Sequence, residues 1–188
     1  MQPAPDAFGA YRSRDAHAVR SARPERFLDL RGQHGETRPI KGTRPRGATP
    51  EEDKRLADEL LASAKDRAEN VMIVDVLRND LGRVCETGTV ATMALCELES
   101  FAQVHHLVST VTGRLRDDVD AFGLLHACFP GGSITGAPKI RAMELLESIE
   151  PVRRHLYTGA IGWIGWDGDA DWNITIRTAV TTQDRRVF

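Results

Sequence analysis

The segment Pro39-Ile40-Lys41-Gly42-Thr43-Arg44 places an amine beside a hydroxyl in a short turn stiffened by proline and glycine. A lysine held this way and partly removed from water loses proton affinity, and its amine can then act as nucleophile or base. A solvated loop lysine has the same local sequence and is the commoner case. In FPGGSITGAPK (129–139), glycines lead into a helix start, which aims backbone N–H groups and the positive end of the helix dipole at an anion. Ala137-Pro138-Lys139 stands where a phosphate-binding loop needs Gly-Lys-Ser/Thr, so a carboxylate fits better than a nucleotide phosphate. A plain connecting turn accounts for the glycines equally well. Asp66 and Glu69 are three positions apart near the expected end of a helix. They share one face and could supply two oxygen donors to a hard cation, the alternative being a solvated acidic face. His105 and His106 are adjacent, so on a strand they point to opposite faces and at most one reaches a given pocket. Arg177 lies among Ile174, Ile176, Ala179 and Val180 and needs either an anionic partner or an exposed face.

The elements that must carry these residues follow from periodicity and punctuation. Arg31 to Pro50, rich in glycine and proline, reads as loop. Thr49-Pro50-Glu51-Glu52 is a capping-box start for a helix with Leu56, Leu60 and Ala64 on its apolar side, expected to end near Glu69. Val71 to Leu77 is apolar except for Asp75 and reads as a strand buried on both faces. Arg83 to Glu99 reads as a hairpin turned at Thr87-Gly88, and His106 to Leu115 as a further strand. Asp120 to Phe129 reads as a helix. Another opens at Pro138, is stopped by Pro151, and carries an expected buried stripe of Ile140, Met143, Leu146 and Ile149. Tyr157 to Trp166 and Trp172 to Val180, separated by Asp167-Gly168-Asp169, predict an antiparallel hairpin.

Composition bounds the function classes. The chain has 188 residues, with 25 basic and 27 acidic side chains and a formal charge of −2, so no global excess of charge favours nucleic acid or an anionic membrane. No apolar run approaches the ~20 residues of a membrane-spanning helix, and residues 1–15 lack a signal-peptide core, which makes a cytoplasmic location the expectation. Three cysteines, Cys85, Cys96 and Cys128, give neither a disulfide framework nor a zinc spacing and read as buried thiols.

Six stretches, taken in order, resemble the chorismate-utilising enzymes, the family of anthranilate, aminodeoxychorismate and isochorismate synthases. They are Pro24-Glu25-Arg26-Phe27, PIKGTRPRG, AENVMIVDVLRNDLGRV, VHHLVSTVTGRL, CFPGGSITGAPKIRAMELLE and YTGAIGWIGWDGDADWNITIRTAV. The resemblance implies an α+β fold of antiparallel sheets covered by helices, with residues 1–188 forming part of a chorismate-binding domain that is incomplete at both ends. The PIKGT wording, with Lys41 where the C2-aminating branch has alanine, is similar to the branch that aminates chorismate at C4.

What the resemblance implies for individual residues is specific. Lys41 would be the nucleophile, Glu25 the acid that protonates the departing hydroxyl, and His106 rather than His105 the active-site histidine. Thr43, Ser133, Tyr157 and Arg177 would surround the substrate. Glu69 and Asp66 would hold Mg²⁺, with Asp66 standing where the family often has a glutamate. The implied partners are chorismate and a glutamine amidotransferase that delivers ammonia. Arg23 replaces the serine that usually precedes the Pro-Glu-Arg-Phe motif. The other readings are C2 amination with an unusual lysine, and a fragment that turns nothing over.

Overall fold

A computed structural model describes residues 10–14, 17–21, 26–182 and 187. Among these, strands β1 (Ala10–Arg14) and β2 (His17–Ser21) join β10 (Thr178–Thr182) in a small antiparallel sheet. The second sheet contains β3 (Arg26–Arg31), β4 (His34–Thr37), β5 (Ile40–Pro45), β6 (Ala91–Ser100), β7 (Val104–Arg114), β8 (Ala160–Ile164) and β9 (Ala170–Ile174). Its order is β5-β7-β4-β3-β9-β8, with β6 on the other edge of β7 and every pairing antiparallel. The expected hairpin is present as β8 and β9, joined through the turn that contains Gly168, but its second strand ends at Ile174 and residues 178–180 belong to the small sheet instead.

Two strands divide one edge of β7: β5 pairs with it at Val104–Val108 and β4 at Val111–Arg114. The segment 31–50 is thus not a loop. Gly35 and Pro45 lie in strands that pair with β7, and Gly42 marks a ladder break.

Helix α1 (Pro50–Ala62) starts as its sequence requires, with Thr49 Oγ1 accepting from the Glu52 N–H at 3.3 Å. The Glu52 carboxylate closes the cap one residue further out, accepting from the N–H of Ala48 at 2.8 Å. The chain breaks at Ser63, which caps α2 (Ala64–Gly82) by accepting from the Asp66 N–H. Val71–Leu77 lies inside α2 and is not a strand. Asn70, Ile73, Val74, Leu77, Asp80 and Leu81 are buried at helical spacing, whereas Val71 and Met72 are each 39% exposed. The expected hairpin over Arg83–Glu99 is likewise corrected. Thr87-Gly88 turns the chain out of α2, and β6 takes β7 as its partner.

Helix α3 (Ala121–Cys128) is capped by Asp120, whose carboxylate accepts from the Gly123 N–H at 2.8 Å. The core lies between the sheet and α2 with α3, centred on Leu28, Leu30, Val74, Leu81, Val111, Leu124 and Trp172. Cys85 and Cys128 belong to it, and burial pushes their thiols up to about 11 and about 12. Cys96 is buried as well. No helix among the described residues is long and apolar enough to cross a membrane.

Helix α4 (Lys139–Ile149) occupies its expected span, but its apolar stripe is not buried: Ile140 is 67% and Ile149 72% exposed. Periodicity reports that a helix has an apolar face and leaves open what lies against it. What fixes the start of α4 is Lys139. Its ammonium donates to the carbonyls of Cys128 and Pro130, each at 2.8 Å, and forms an ion pair with Asp80 of α2.

Asp80 is only 2% exposed, and burial pushes its carboxyl up while Lys139 and Arg83 pull it down. Removing the lysine leaves a buried carboxylate with only the half-exposed Arg83, 3.2 Å away, as counter-ion. Lys139→Met is expected to lower unfolding stability by about 3 kcal/mol in a urea titration of the 188-residue chain. A loss under ~1 kcal/mol, the range of a surface pair, would contradict the staple.

Candidate active site

Strand β7 sets the geometry, because its alternation sends His105 and His106 to opposite faces. His105 faces the helices. Its Nε2 lies 3.0 Å from Asp53 Oδ1 of α1, and its Nδ1 lies 2.7 Å from Ser100 Oγ. Asp53 also accepts both prongs of the Arg46 guanidinium at 2.7 Å and the N–H of Gly47 at 2.8 Å, which hold its carboxyl well below the usual range. A Cβ at Gly47 would stand 2.2 Å from the Asp53 nitrogen, so that position admits only glycine. His105 is therefore a structural group that docks β7 onto α1, beside the Arg46–Asp53 pair that holds the end of β5 there.

His106 faces the other way. Its ladder partner on β5 is Thr43, and Thr43 Oγ1 lies 2.9 Å from His106 Nδ1. Its partner on β6 is Glu99, which is ion-paired with Arg38. The Phe101 ring packs against the imidazole with centroids 5.7 Å apart. His106 is 7% exposed, and its proton affinity is lowered. Burial is the main cause and the positive charge of Arg177 adds to it, while the Gly42 backbone and Glu99 act in the opposite sense. The neutral imidazole is the form this environment favours.

Two further expected residues meet this pair indirectly. Arg177, exposed and at φ 51° between β9 and β10, is close enough for its charge to act on His106. Ser133, in a single 3₁₀ turn (Gly132–Ile134), lines a small pocket with Arg26, Ile174 and Pro39, which precedes Lys41 by two residues. Lys41 itself is half-buried on β5 and has no hydrogen-bond or ion-pair partner among the described residues. Tyr157 lines a different cleft of about 640 Å³, with Phe129, Met143, Leu146 and Arg154. Glu25 lies outside the described residues.

Asp66 and Glu69 are one turn apart on α2, as their spacing requires. Arg44 Nη1 approaches Asp66 Oδ2 at 3.5 Å, and Lys65 Nζ approaches Glu69 Oε1 at 3.9 Å. Among the described residues, no three His, Cys, Asp or Glu side chains converge as a cation site would need. Mg²⁺ prefers about six oxygen donors in a near-octahedral shell, so these two carboxylates, each already beside a cation, do not fit the ion by themselves.

The family model described as chorismate binding enzyme matches residues 1–188. The chain belongs to this family. It is 52% identical over 176 residues to aminodeoxychorismate synthase component 1 of Salmonella typhimurium, covering 94% of this chain and 39% of that protein. It is 46% identical over 184 residues to anthranilate synthase component 1 of Aquifex aeolicus, covering 98% of this chain and 37% of that protein. Among solved structures, anthranilate synthase component I of Streptococcus pneumoniae superposes with a TM-score of 0.87 at 37% identity, covering 97% of this chain and 40% of the other. The chain therefore spans about two fifths of the length of these relatives, and its antiparallel sheets with covering helices are the family's fold.

Sequence reasoning missed the supporting residues Arg44, Arg46, Asp53, Asp80 and Lys139. The signal was the Arg-Pro-Arg spacing in PIKGTRPRG, which puts two guanidiniums on one side of a strand that runs into a helix with an acidic first turn.

The lowered proton affinity of His106 has a direction in pH. The unfolded imidazole takes up its proton first as pH falls through about 6.5, so the folded chain loses stability between that value and the lower folded one. An NMR titration of the 188-residue chain is expected to place the His106 midpoint below 6.5, and Arg177→Ala to move it upward. A midpoint above 6.5, or no response to Arg177→Ala, would contradict this electrostatic picture.

Proposed function

We propose that the chain is part of an aminodeoxychorismate synthase component I, which replaces the C4 hydroxyl of chorismate by an amine on the route to p-aminobenzoate and folate. The observation that carries this reading is Lys41 in the break of the β5 ladder, immediately before the Thr43–His106 pair. The relatives support it, since several of them carry the name aminodeoxychorismate synthase component 1, at 49–53% identity.

The lysine answers a problem of regiochemistry. Addition of a nucleophile at C2 of chorismate, with shift of the ring double bonds, breaks the C4–O bond and releases the hydroxyl. Ammonia acting directly would leave nitrogen at C2, the anthranilate outcome. If the Lys41 amine forms the C2–N bond first, ammonia then adds at C4, the double bonds shift back, and the lysine amine leaves C2. The net change is loss of water and gain of an amine at C4.

Each of the other residues has a share in this account. Glu25 donates the proton that turns the departing hydroxide into water. Neutral His106, oriented by Thr43, is a hydrogen-bonding group at the ring rather than a fixed charge. Arg177 supplies a positive charge for a substrate carboxylate, and Ser133 and Tyr157 supply hydroxyls. The reading takes Lys41 to face the same side as His106, the Cβ position of Gly42 being the one turned toward Leu60 and Asp66.

A glutamine amidotransferase, as a subunit or a fused domain, would deliver the ammonia; the component numbering in the relatives' names supports such a partner. Mg²⁺ would neutralise the ring carboxylate, with Glu69 as one ligand and the rest of its shell from other protein groups, substrate oxygens and water. A cytoplasmic location accords with this metabolic role.

The test is a chimera in which this chain replaces the matching 176-residue segment of the Salmonella relative, supplied with chorismate and ammonium. It is expected to make the C4 amine, identified by mass spectrometry, and Lys41→Ala to reduce that product to background. Fluorescent anthranilate from the unmutated chimera would favour the C2 reading, and C4 product at the parent rate in Lys41→Ala would overturn the relay.

A further inference from the structure

The β5–β7 ladder slips between Ile40 and Thr43, so cross-strand pairing does not fix Lys41 and Gly42. The groups that do hold them come from the helices. A Cβ on Gly42 would stand 2.9 Å from Asp66 Cβ and 2.9 Å from Leu60 Cδ1, and the backbone there is at φ +85°, so the strand is seated directly on the α1–α2 corner. Two residues on, Arg44 Nε donates to Glu59 Oε1 of α1 at 2.8 Å. Its Nη1 donates to the Thr43 carbonyl at 3.0 Å and faces Asp66 Oδ2 of α2 at 3.5 Å. One guanidinium therefore ties the end of α1, the start of α2 and the backbone of β5 together. Its planar fork suits this task in a way a lysine point charge does not.

We infer that Arg44 is a positioning residue that holds the Lys41 turn against the α1–α2 corner, and that Asp66 serves as its counter-ion rather than as a cation ligand. Both side chains are mostly shielded, at 26% and 19% exposure, so the pair is less screened than one in open solvent. A divalent ion at Asp66 would have to displace the guanidinium from it and stand beside that charge. The shorter side chain of aspartate also keeps the carboxylate close to the helix, where Gly42 packs on it. The importance of Lys41 rests on the proposed amination, but the placement of its side chain can be read without any turnover.

The experiment is acylation of the folded 188-residue chain with a water-soluble N-hydroxysuccinimide ester at one fixed pH, with the Lys41 rate followed by mass spectrometry. Arg44→Gln and Asp66→Asn are each expected to change that rate at least threefold, and the double variant to change it no further. Arg44→Lys is expected to restore part of the difference. Leu124→Val, a core change in α3, is expected to lower the melting temperature and leave the Lys41 rate at the parent value. A parent rate in Arg44→Gln, additive effects in the double variant, or an equal change in Leu124→Val would overturn the positioning role. In a Mn²⁺ titration followed by paramagnetic broadening, Asp66→Asn is expected to match the parent. A drop in Mn²⁺ affinity in that variant would overturn the counter-ion assignment.

Discussion

Thr43 and His106 face each other across the β5–β7 ladder, and just before them two residues of β5, Lys41 and Gly42, stand opposite the single Leu107 of β7. The rest of the site depends on how that bulge is contained. A strand paired on its whole length would commit Lys41 to the plain alternation of the sheet. A free loop would leave it to solvent. Here the backbone departs from the ladder only where Gly42 can enter the left-handed region and rest on Leu60 and Asp66, and regular pairing resumes at Thr43.

Charged groups surround this region in compensated sets. Arg46 with Asp53 locks the end of β5 to α1, Arg44 bridges Glu59 and Asp66, Arg38 holds Glu99, and Lys139 neutralises Asp80. Each pair removes a side chain from the list of groups that could act on a ligand. Arg177 stays exposed beside a neutral imidazole, and the Lys41 ammonium has no hydrogen-bond or ion-pair partner among the described residues. A dianionic ring substrate would meet positive charge on the His106 side of the sheet and paired charge on the helical side.

Much of this was legible in the sequence, for reasons that differ by element. The start of α1 was readable because its cap is local chemistry, Thr49 and Glu52 acting within one turn. The opposite directions of His105 and His106 followed from strand alternation alone. The Val71–Leu77 stretch misled because a short apolar run has no period of its own. Only its flanks, Asn70 on one side and Asp80 with Leu81 on the other, reveal a helical stripe, and their burial depends on β7 and α4 far along the chain. The strands in 31–50 were hidden for the same reason, since their partner β7 lies some 70 positions away. The exposed stripe of α4 shows the limit of periodicity, which describes one element and not its neighbour. At the site, the resemblance supplied residue identities, while the Arg44 and Arg46 attachments became visible only when the α1–α2 corner was placed under β5.

The account turns on which side of β5 the Lys41 amine occupies. Nuclear Overhauser effects in the isotopically labelled chain measure this directly, because the Lys41 ε-methylene is magnetically distinct from the backbone. The account predicts cross-peaks from that methylene to the Thr43 methyl or the His106 ring, and none to the Leu60 methyls. Cross-peaks to Leu60 with none to Thr43 or His106 would place the amine on the helical side and contradict it.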